Sequence, residues 1–226
     1  MTTRPAPEGE EHLPLRERKK RRTRRTLADT ALRLFLQRGY DDVTLDELTE
    51  RAGVSVRTFF RYYSSKEEVA MAAEGELWEA YARRLHDLAP GGPALEQLRD
   101  RYVAAVREMP GEWTERYLAT RGLAARTPAL RAQHTAATDL LQVRIIEALE
   151  RVMGVDSRRD VRLRLVSDMT LAAVRYGSKN WIRENRTADR TGDGESLIRE
   201  VVAAFDALHG AVVLVPTSPE EPPPLR

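Results

Sequence analysis

The sequence predicts an all-α protein with a three-helix N-terminal domain and a larger helical domain behind it. Three observations lead there. Apolar residues recur at helical spacing from about residue 27 to residue 209, with no convincing strand-like alternation. Helix-breaking residues divide the chain at Gly39, Gly53, Ser64 and Ser65, Pro90 to Gly92, Pro110 and Gly111, Thr127 and Pro128, Gly154, and Thr191 and Gly192. Capping residues stand just before several of the periodic stretches.

In order along the chain, Leu27, Ala31, Leu34 and Phe35 share one face of a first helix that stops at Gly39. Thr44 with Glu47 forms a capping box, in which hydroxyl and carboxylate each satisfy the other's backbone donor, and opens a short helix ending at Ala52 and Gly53. Ser55 caps the next helix, Val56 to Tyr63. Ser65 with Glu68 makes a second capping box for a long helix through Leu77, Tyr81 and Leu85 to Pro90. Pro93 starts a helix reaching Met109. Shorter and longer helices follow over Trp113 to Arg121, Thr127 to Gly154, Ser157 to Glu184 and Glu195 to His209.

Composition narrows the function. The 226 residues are 42% hydrophobic, enough for a core, and include no cysteine, so disulfides and thiolate metal sites are excluded and a reducing, cytoplasmic setting fits. The N-terminus is polar and basic, unlike a secretory leader, and the apolar run Val201 to Val215 is too short and too interrupted to span a membrane. Residues 1–15 and the Pro-rich 211–226 read as flexible tails. The four histidines are scattered, and neither a Gly-rich phosphate loop nor a nucleophile elbow is present, so no enzyme, metal or cofactor is expected.

Charge points to DNA. Residues 16–25, RERKKRRTRR, hold eight basic residues and one acid, while the chain beyond them is mildly acidic. Such an arm is drawn to a phosphate backbone. Directly behind it, Thr44 to Tyr63 has the layout of a helix-turn-helix, with Gly53 in the turn and Phe59 and Tyr63, four apart, facing inward. The other face of the second helix carries Val56, Arg57, Phe60 and Arg61. Arginine pairs bidentately with guanine and apolar groups meet thymine methyls, while Arg61, Tyr62 and Lys66 suit phosphates. With Arg24 in the arm, Thr44, Ser55 and Thr58 complete the candidate set for double-stranded operator DNA. These observations assign residues 16–64 to DNA and 65–210 to a second domain. An effector-free regulatory or architectural DNA-binding protein is the alternative reading.

The stretch Leu27 to Val69 resembles the DNA-binding module of the TetR family of bacterial regulators. The resemblance rests on Leu34-Phe35, Gly39-Tyr40, Thr44, Ala52 to Ser55, Thr58-Phe59, Tyr62 and Lys66-Glu67. It implies a repressor with a C-terminal domain that dimerises and binds a small-molecule inducer. It also implies phosphate contacts by Thr44, Arg61, Tyr62 and Lys66 and base contacts by Val56, Arg57 and Phe60. Phe60, Tyr63 and Ser64 depart from the usual Tyr, Phe and Pro, and a phenylalanine at 60 has no hydroxyl to offer a base. From Thr127 to Trp181 the chain resembles the branch associated with hydrophobic, acyl-CoA-like ligands.

Two expectations concern the second domain. The last helix has two apolar stripes, Leu197, Val201, Ala204 and Leu208 beside Ile198, Val202 and Phe205. Together with the small residues Ala172, Ala173 and Gly177 of the helix before, they suggest a homodimer through the last two helices. The candidate ligand contacts are Tyr102, Trp113, Tyr117, His134, Met169 and Tyr176, with Trp78 and Tyr81 as further aromatic walls and Arg121 and Arg175 available to an anion.

Overall fold

The computed structural model describes residues 14–186 and 192–214. Apart from Pro14, Leu15 and residues 211–214, the expected tails lie outside the described residues, as does the break at Thr191. Among the described residues there are ten α-helices and no strand: α1 Leu15–Arg38, α2 Leu45–Arg51, α3 Val56–Phe60, α4 Lys66–Ala70, α5 Ala72–Arg84, α6 Ala94–Arg107, α7 Trp113–Arg126, α8 Pro128–Met153, α9 Arg162–Asn185 and α10 Gly194–Val212.

The local signals act largely as expected. Thr44, Ser55 and Ser65 each accept the backbone N–H three residues on. Gly53 and Gly154 take the left-handed conformation at φ 67° and 65°, which a residue with a Cβ adopts only with strain. Both capping boxes are only half formed. The Glu47 carboxylate goes to Arg38, and Glu68 reaches back to the N–H and hydroxyl of Ser64 rather than to Ser65.

Several elements differ in extent. The basic run is helix from Leu15 onward, because nothing between Leu15 and Arg38 breaks a helix and Arg and Lys favour one. The helix expected from Ser65 to Pro90 divides at Met71, whose backbone leaves helical geometry at φ −96°, ψ 13°. A 3-10 turn at Leu85–Asp87 ends it. Helix α7 runs on to Arg126, and α9 begins at Arg162 rather than Ser157.

Two apolar cores form. The head core gathers Leu27, Phe35, Leu48, Phe59, Tyr63, Val69 and Met71, and α7 and α8 close it with Leu123, Ala124 and Leu130. The body core gathers Leu77, Tyr81, Leu98, Tyr102, Trp113, Ile145, Trp181, Leu197 and Val201. Met71 belongs to the first and Ala73 to the second, so the break in the α4–α5 segment falls where the chain passes from one core to the other.

Of the two stripes on the last helix, Leu197, Ile198, Val201 and Phe205 are buried within the chain, where α10 packs along α9 and α6, while Val202, Ala204 and Leu208 are half-buried. Gly177 is the reason α10 lies so close: a Cβ there would fall 2.5 Å from the Val201 Cα. The small residue thus serves packing within one chain. The large apolar residues left at least half exposed on the body's long helices are instead Leu140, Val143 and Met153 on α8 and Leu165 and Tyr176 on α9.

Candidate DNA interface and ligand cavity

Three short helices present the candidate DNA contacts. Helix α3 is anchored from below by Phe59, fully buried and edge-on to Phe60 at 5.4 Å. That anchoring turns the other face outward. Thr44, Ser55, Arg57, Phe60 and Arg61 are exposed, and Val56, Thr58 and Tyr62 are half-buried. Phe60 shows 54% of its surface, an unusual exposure for an aromatic ring in a domain with enough core to hide it. The Ser55 hydroxyl donates to Thr58 Oγ1 at 3.0 Å, which fixes both at the helix start. The Arg61 guanidinium lies over the Tyr62 ring, 5.1 Å from its centroid.

The helical state of the basic run sorts its charges. Arg16, Lys19, Lys20 and Thr23, at helical spacing, line an open cleft of about 1120 Å³ together with Arg61 and Tyr62. The arm therefore extends the basic side of α3. Arg24 and Arg25 point elsewhere. Arg24 forms a forked pair with Glu79 of α5, at 2.8 and 3.3 Å, and its carbonyl accepts the Tyr63 hydroxyl at 3.0 Å. Burial works against the Arg24 charge, but the Glu79 contact outweighs it and raises the guanidinium's pKa further. Arg25 pairs with Glu112, and Arg116 of α7 holds Glu76 at 2.8 Å with Asp29 of α1 at 3.8 Å. Arg24, expected on DNA, is in this arrangement a tie between head and body.

Lys66 also does more than the sequence suggested. Its ammonium donates to the carbonyls of Tyr40 and Val43, both at 2.8 Å, and sits 4.1 Å from the Tyr40 ring centroid. A lysine has three donors, so one remains for a phosphate. Beside it the Tyr40 hydroxyl donates to Glu67 at 2.5 Å, which lowers the Glu67 pKa below the usual carboxylate range. Together these contacts pin the α1–α2 loop to α4.

A cavity of about 390 Å³ lies among α5, α7, α8 and α9. Its walls include Trp78, Tyr117, Leu171, Val174 and Ile182, and its polar lining includes Glu74, Arg121, His134, Gln142 and Ser178. Glu74 is the chief surprise. It is only 2% exposed, takes Arg121 at 3.1 Å and approaches His134 Nδ1 at 2.7 Å. Of the expected ligand residues, Tyr117 and His134 line this cavity, as do Trp78, Arg121 and Arg175. Tyr102 and Trp113 are core residues behind it, both fully buried; Trp113 donates to the Ala73 carbonyl at 2.8 Å and stacks on Tyr117 at 4.7 Å. Tyr81 is likewise core, its hydroxyl on the Leu98 carbonyl. Met169 and Tyr176 fall outside the lining because they follow the outer stripe of α9 with Leu165.

Sequence reasoning missed Glu74 and Ser178, although a signal for each was present. Glu74 stands three, four and seven residues before Leu77, Trp78 and Tyr81, on the apolar face of its helix, and Ser178 stands between Val174 and Trp181 on another. A polar residue on an apolar stripe calls for a partner.

A helix-turn-helix head with a basic flank, joined to a helical body with an internal cavity, defines a DNA-binding regulator with a sensor domain. The model for "Bacterial regulatory proteins, tetR family" matches residues 27–73. The HTH-type transcriptional regulator TcmR of Streptomyces glaucescens is 32% identical over 212 residues, 92% of this chain and 90% of that protein. The HTH-type transcriptional repressor NemR of Escherichia coli K12 is 37% identical over 82 residues, 36% of this chain and 40% of its own length. Among solved structures, that of the SmeT–triclosan complex has the same fold, with TM-score 0.55 at 21% identity over 90% of this chain and 100% of that one. The chain belongs to the TetR family and is a DNA-binding transcriptional regulator. No helix among the described residues is long and apolar enough to cross a membrane.

Proposed function

We propose that the protein is a cytoplasmic homodimeric repressor, not an enzyme, released from its operator when a small molecule enters the cavity among α5, α7, α8 and α9. The observation that carries this reading is the position of Glu74. It lies three residues beyond the break at Met71, at the start of the helix joining head to body, and its partners Arg121 and His134 line the cavity. A ligand that redirects either partner alters the charge balance of a buried carboxylate at the joint between the two cores. That coupling releases DNA only if the ligand prefers one orientation of the head, since equal affinity for both shifts nothing.

In this proposal α3 enters the major groove, with Val56, Arg57 and Phe60 on base edges. Thr44, Ser55, Thr58, Arg61, Tyr62 and the free donor of Lys66 grip the backbone, and the basic face of α1 follows it. The head core ends at Ala72 and the sensor core begins at Ala73. The second copy docks through the last two helices, α9 and α10. Leu165 and Tyr176 of α9, both at least half exposed, offer apolar surface that a two-fold interface repeats on both partners.

The test is a thermal-shift screen of small molecules followed by operator titration with and without each hit. A hit should weaken operator binding, and operator should weaken the hit by the same factor. A ligand that saturates the cavity and leaves operator affinity unchanged contradicts the switch and favours an effector-free regulator.

A further inference from the structure

The polar floor of the cavity holds three nitrogens without a partner. Arg121 uses only Nη1 on the Glu74 carboxylate, at 3.1 and 3.2 Å, and His134 uses only Nδ1, at 2.7 Å. Arg121 Nε and Nη2 and His134 Nε2 have no partner among the described residues, yet none of the three is a fully buried atom. The Arg121 side chain keeps 17% of its surface and that of His134 keeps 25%, and both line the cavity, so an occupant can reach them.

Two further cations line the same cavity. Arg175 and Lys179, one helical turn apart on α9, are exposed. Each rests over the Tyr176 ring, 5.0 and 5.5 Å from its centroid, a contact that uses none of its N–H donors. Neither has an ion pair among the described residues. The acids of the lining lie elsewhere or are taken. Glu74 holds Arg121 and His134. Asp168 accepts from Gln142 of α8 and precedes Arg175 and Lys179 by seven and eleven residues, about 10 and 16 Å along the helix. Asp139 stands one turn before Gln142, near the same end. His134 precedes Gln142 by eight residues, about 12 Å along α8, and α8 and α9 pack as a hairpin, so His134 falls toward the Arg175 end. The cavity is therefore polarised. Asp139 and Asp168 mark one end, and at the other Arg121, Arg175 and Lys179 face Glu74 alone. The remaining walls, Trp78, Tyr117, Leu171, Val174 and Ile182, are apolar or aromatic.

We infer that the cavity takes an aromatic or apolar monocarboxylate, with its carboxylate on the open Nε–Nη2 edge of Arg121 beside His134 and with Arg175 and Lys179 attracting it from the rim. That edge of a guanidinium meets a carboxylate with two parallel N–H···O bonds. A volume of about 390 Å³ is small for a ligand cavity and suits a compact acid rather than a coenzyme A thioester. The inference rests on the cavity being the inducer site. It names the chemistry of what fills it and puts the ligand's charge on the cation that Glu74 depends on.

The probes share one body: 4-phenylbenzoate, its neutral amide 4-phenylbenzamide and the cation 4-phenylbenzamidine. Isothermal titration calorimetry of the full chain reads their affinities. 4-Phenylbenzoate should bind about tenfold or more tighter than the amide, because charge-assisted hydrogen bonds are the stronger kind, and the amidine should bind weakest. Arg121→Lys keeps the charge, loses the fork and should remove most of that preference. Arg175→Gln combined with Lys179→Gln, at exposed positions where the melting temperature should hardly move, should lower the preference severalfold and flatten its salt dependence. This double variant carries the test if Arg121→Lys does not fold. Equal binding of acid and amide, preference for the amidine, no binding of 4-phenylbenzoate up to its solubility limit, or a preference that survives the double variant would each overturn the inference. Operator titration is read separately. Ligands that release operator without any preference for a carboxylate leave the repressor reading intact and remove this one. 4-Phenylbenzoate bound with the stated preference but without effect on operator does the reverse.

Discussion

Replacing Gly177 with alanine tests the placement of α10 by the sign of its effect. In an exposed helix the change should stabilise, since alanine is the better helix former by about 1 kcal/mol. At Gly177 the new Cβ would lie 2.5 Å from the Val201 Cα, 2.7 Å from the Glu200 carbonyl oxygen and 2.8 Å from the Val201 nitrogen. All three are backbone atoms, so no rotamer change relieves the clash and α10 must shift as a unit. Overpacking of this kind costs about 1–3 kcal/mol. For a chain of this size each kcal/mol lowers Tm by roughly 2–4 °C. Gly122 is the internal control: it lies within α7, and its Cβ would meet nothing within 4 Å. Thermal melts followed by circular dichroism should show Gly177→Ala several degrees below the wild type and Gly122→Ala at or above it. If Gly177→Ala melts with or above the wild type, α10 does not lie against α9 as described, and its apolar stripes become free to meet a partner.

Four further outcomes follow from the same structure. Arg57→Ala should cost about 1–3 kcal/mol of operator affinity and relax preference at one base pair, read by titration against single-base operator variants. Replacing Arg16, Lys19 and Lys20 by glutamine should flatten the slope of log affinity against log salt by about 0.9 for each phosphate no longer neutralised, whereas an unchanged slope would place the basic face of α1 off the DNA. Lys66→Met should destabilise the head by about 2 kcal/mol through loss of the charged bonds to Tyr40 and Val43; operator affinity that falls with no change in the melt would show Lys66 to be a phosphate ligand only. Glu67, with its pKa held below the usual 4.5 by the Tyr40 hydroxyl, contributes stability above that value that is lost as pH falls through its lowered folded value, so Glu67→Gln should blunt the acid limb of the stability profile and leave its alkaline limb alone.

Much of the fold was legible because its signals are local. A hydroxyl at Thr44, Ser55 or Ser65 needs only the next turn of chain to act as a cap, and Gly53 and Gly154 need only their own backbone. The outward side of α3 was legible for a related reason: with Phe59 and Tyr63 inward, helical geometry alone turns Arg57 and Phe60 outward. What was not legible depends on residues far apart in the chain. Nothing near Met71 signals a break, which arises where two cores compete for consecutive residues. The width of the apolar face on α10 does not reveal that Leu197, Ile198, Val201 and Phe205 are buried within the chain, where α10 packs along α9 and α6. Arg24 and Lys66 read as phosphate ligands because a cation's local sequence does not reveal an acid 55 residues on, as with Glu79, or a carbonyl 26 residues back, as with Tyr40.

The central claim is that α3 reads sequence as one half of a symmetric pair. Selection of tight binders from a pool of random duplexes tests it directly, with the wild type beside a folded variant in which Val56, Arg57 and Phe60 are all alanine. The wild type should enrich an inverted repeat whose half-sites fall on successive major grooves, and the variant should keep salt-sensitive binding to any duplex but enrich no sequence. An identical repeat enriched by both proteins, or none enriched by the wild type, would contradict it.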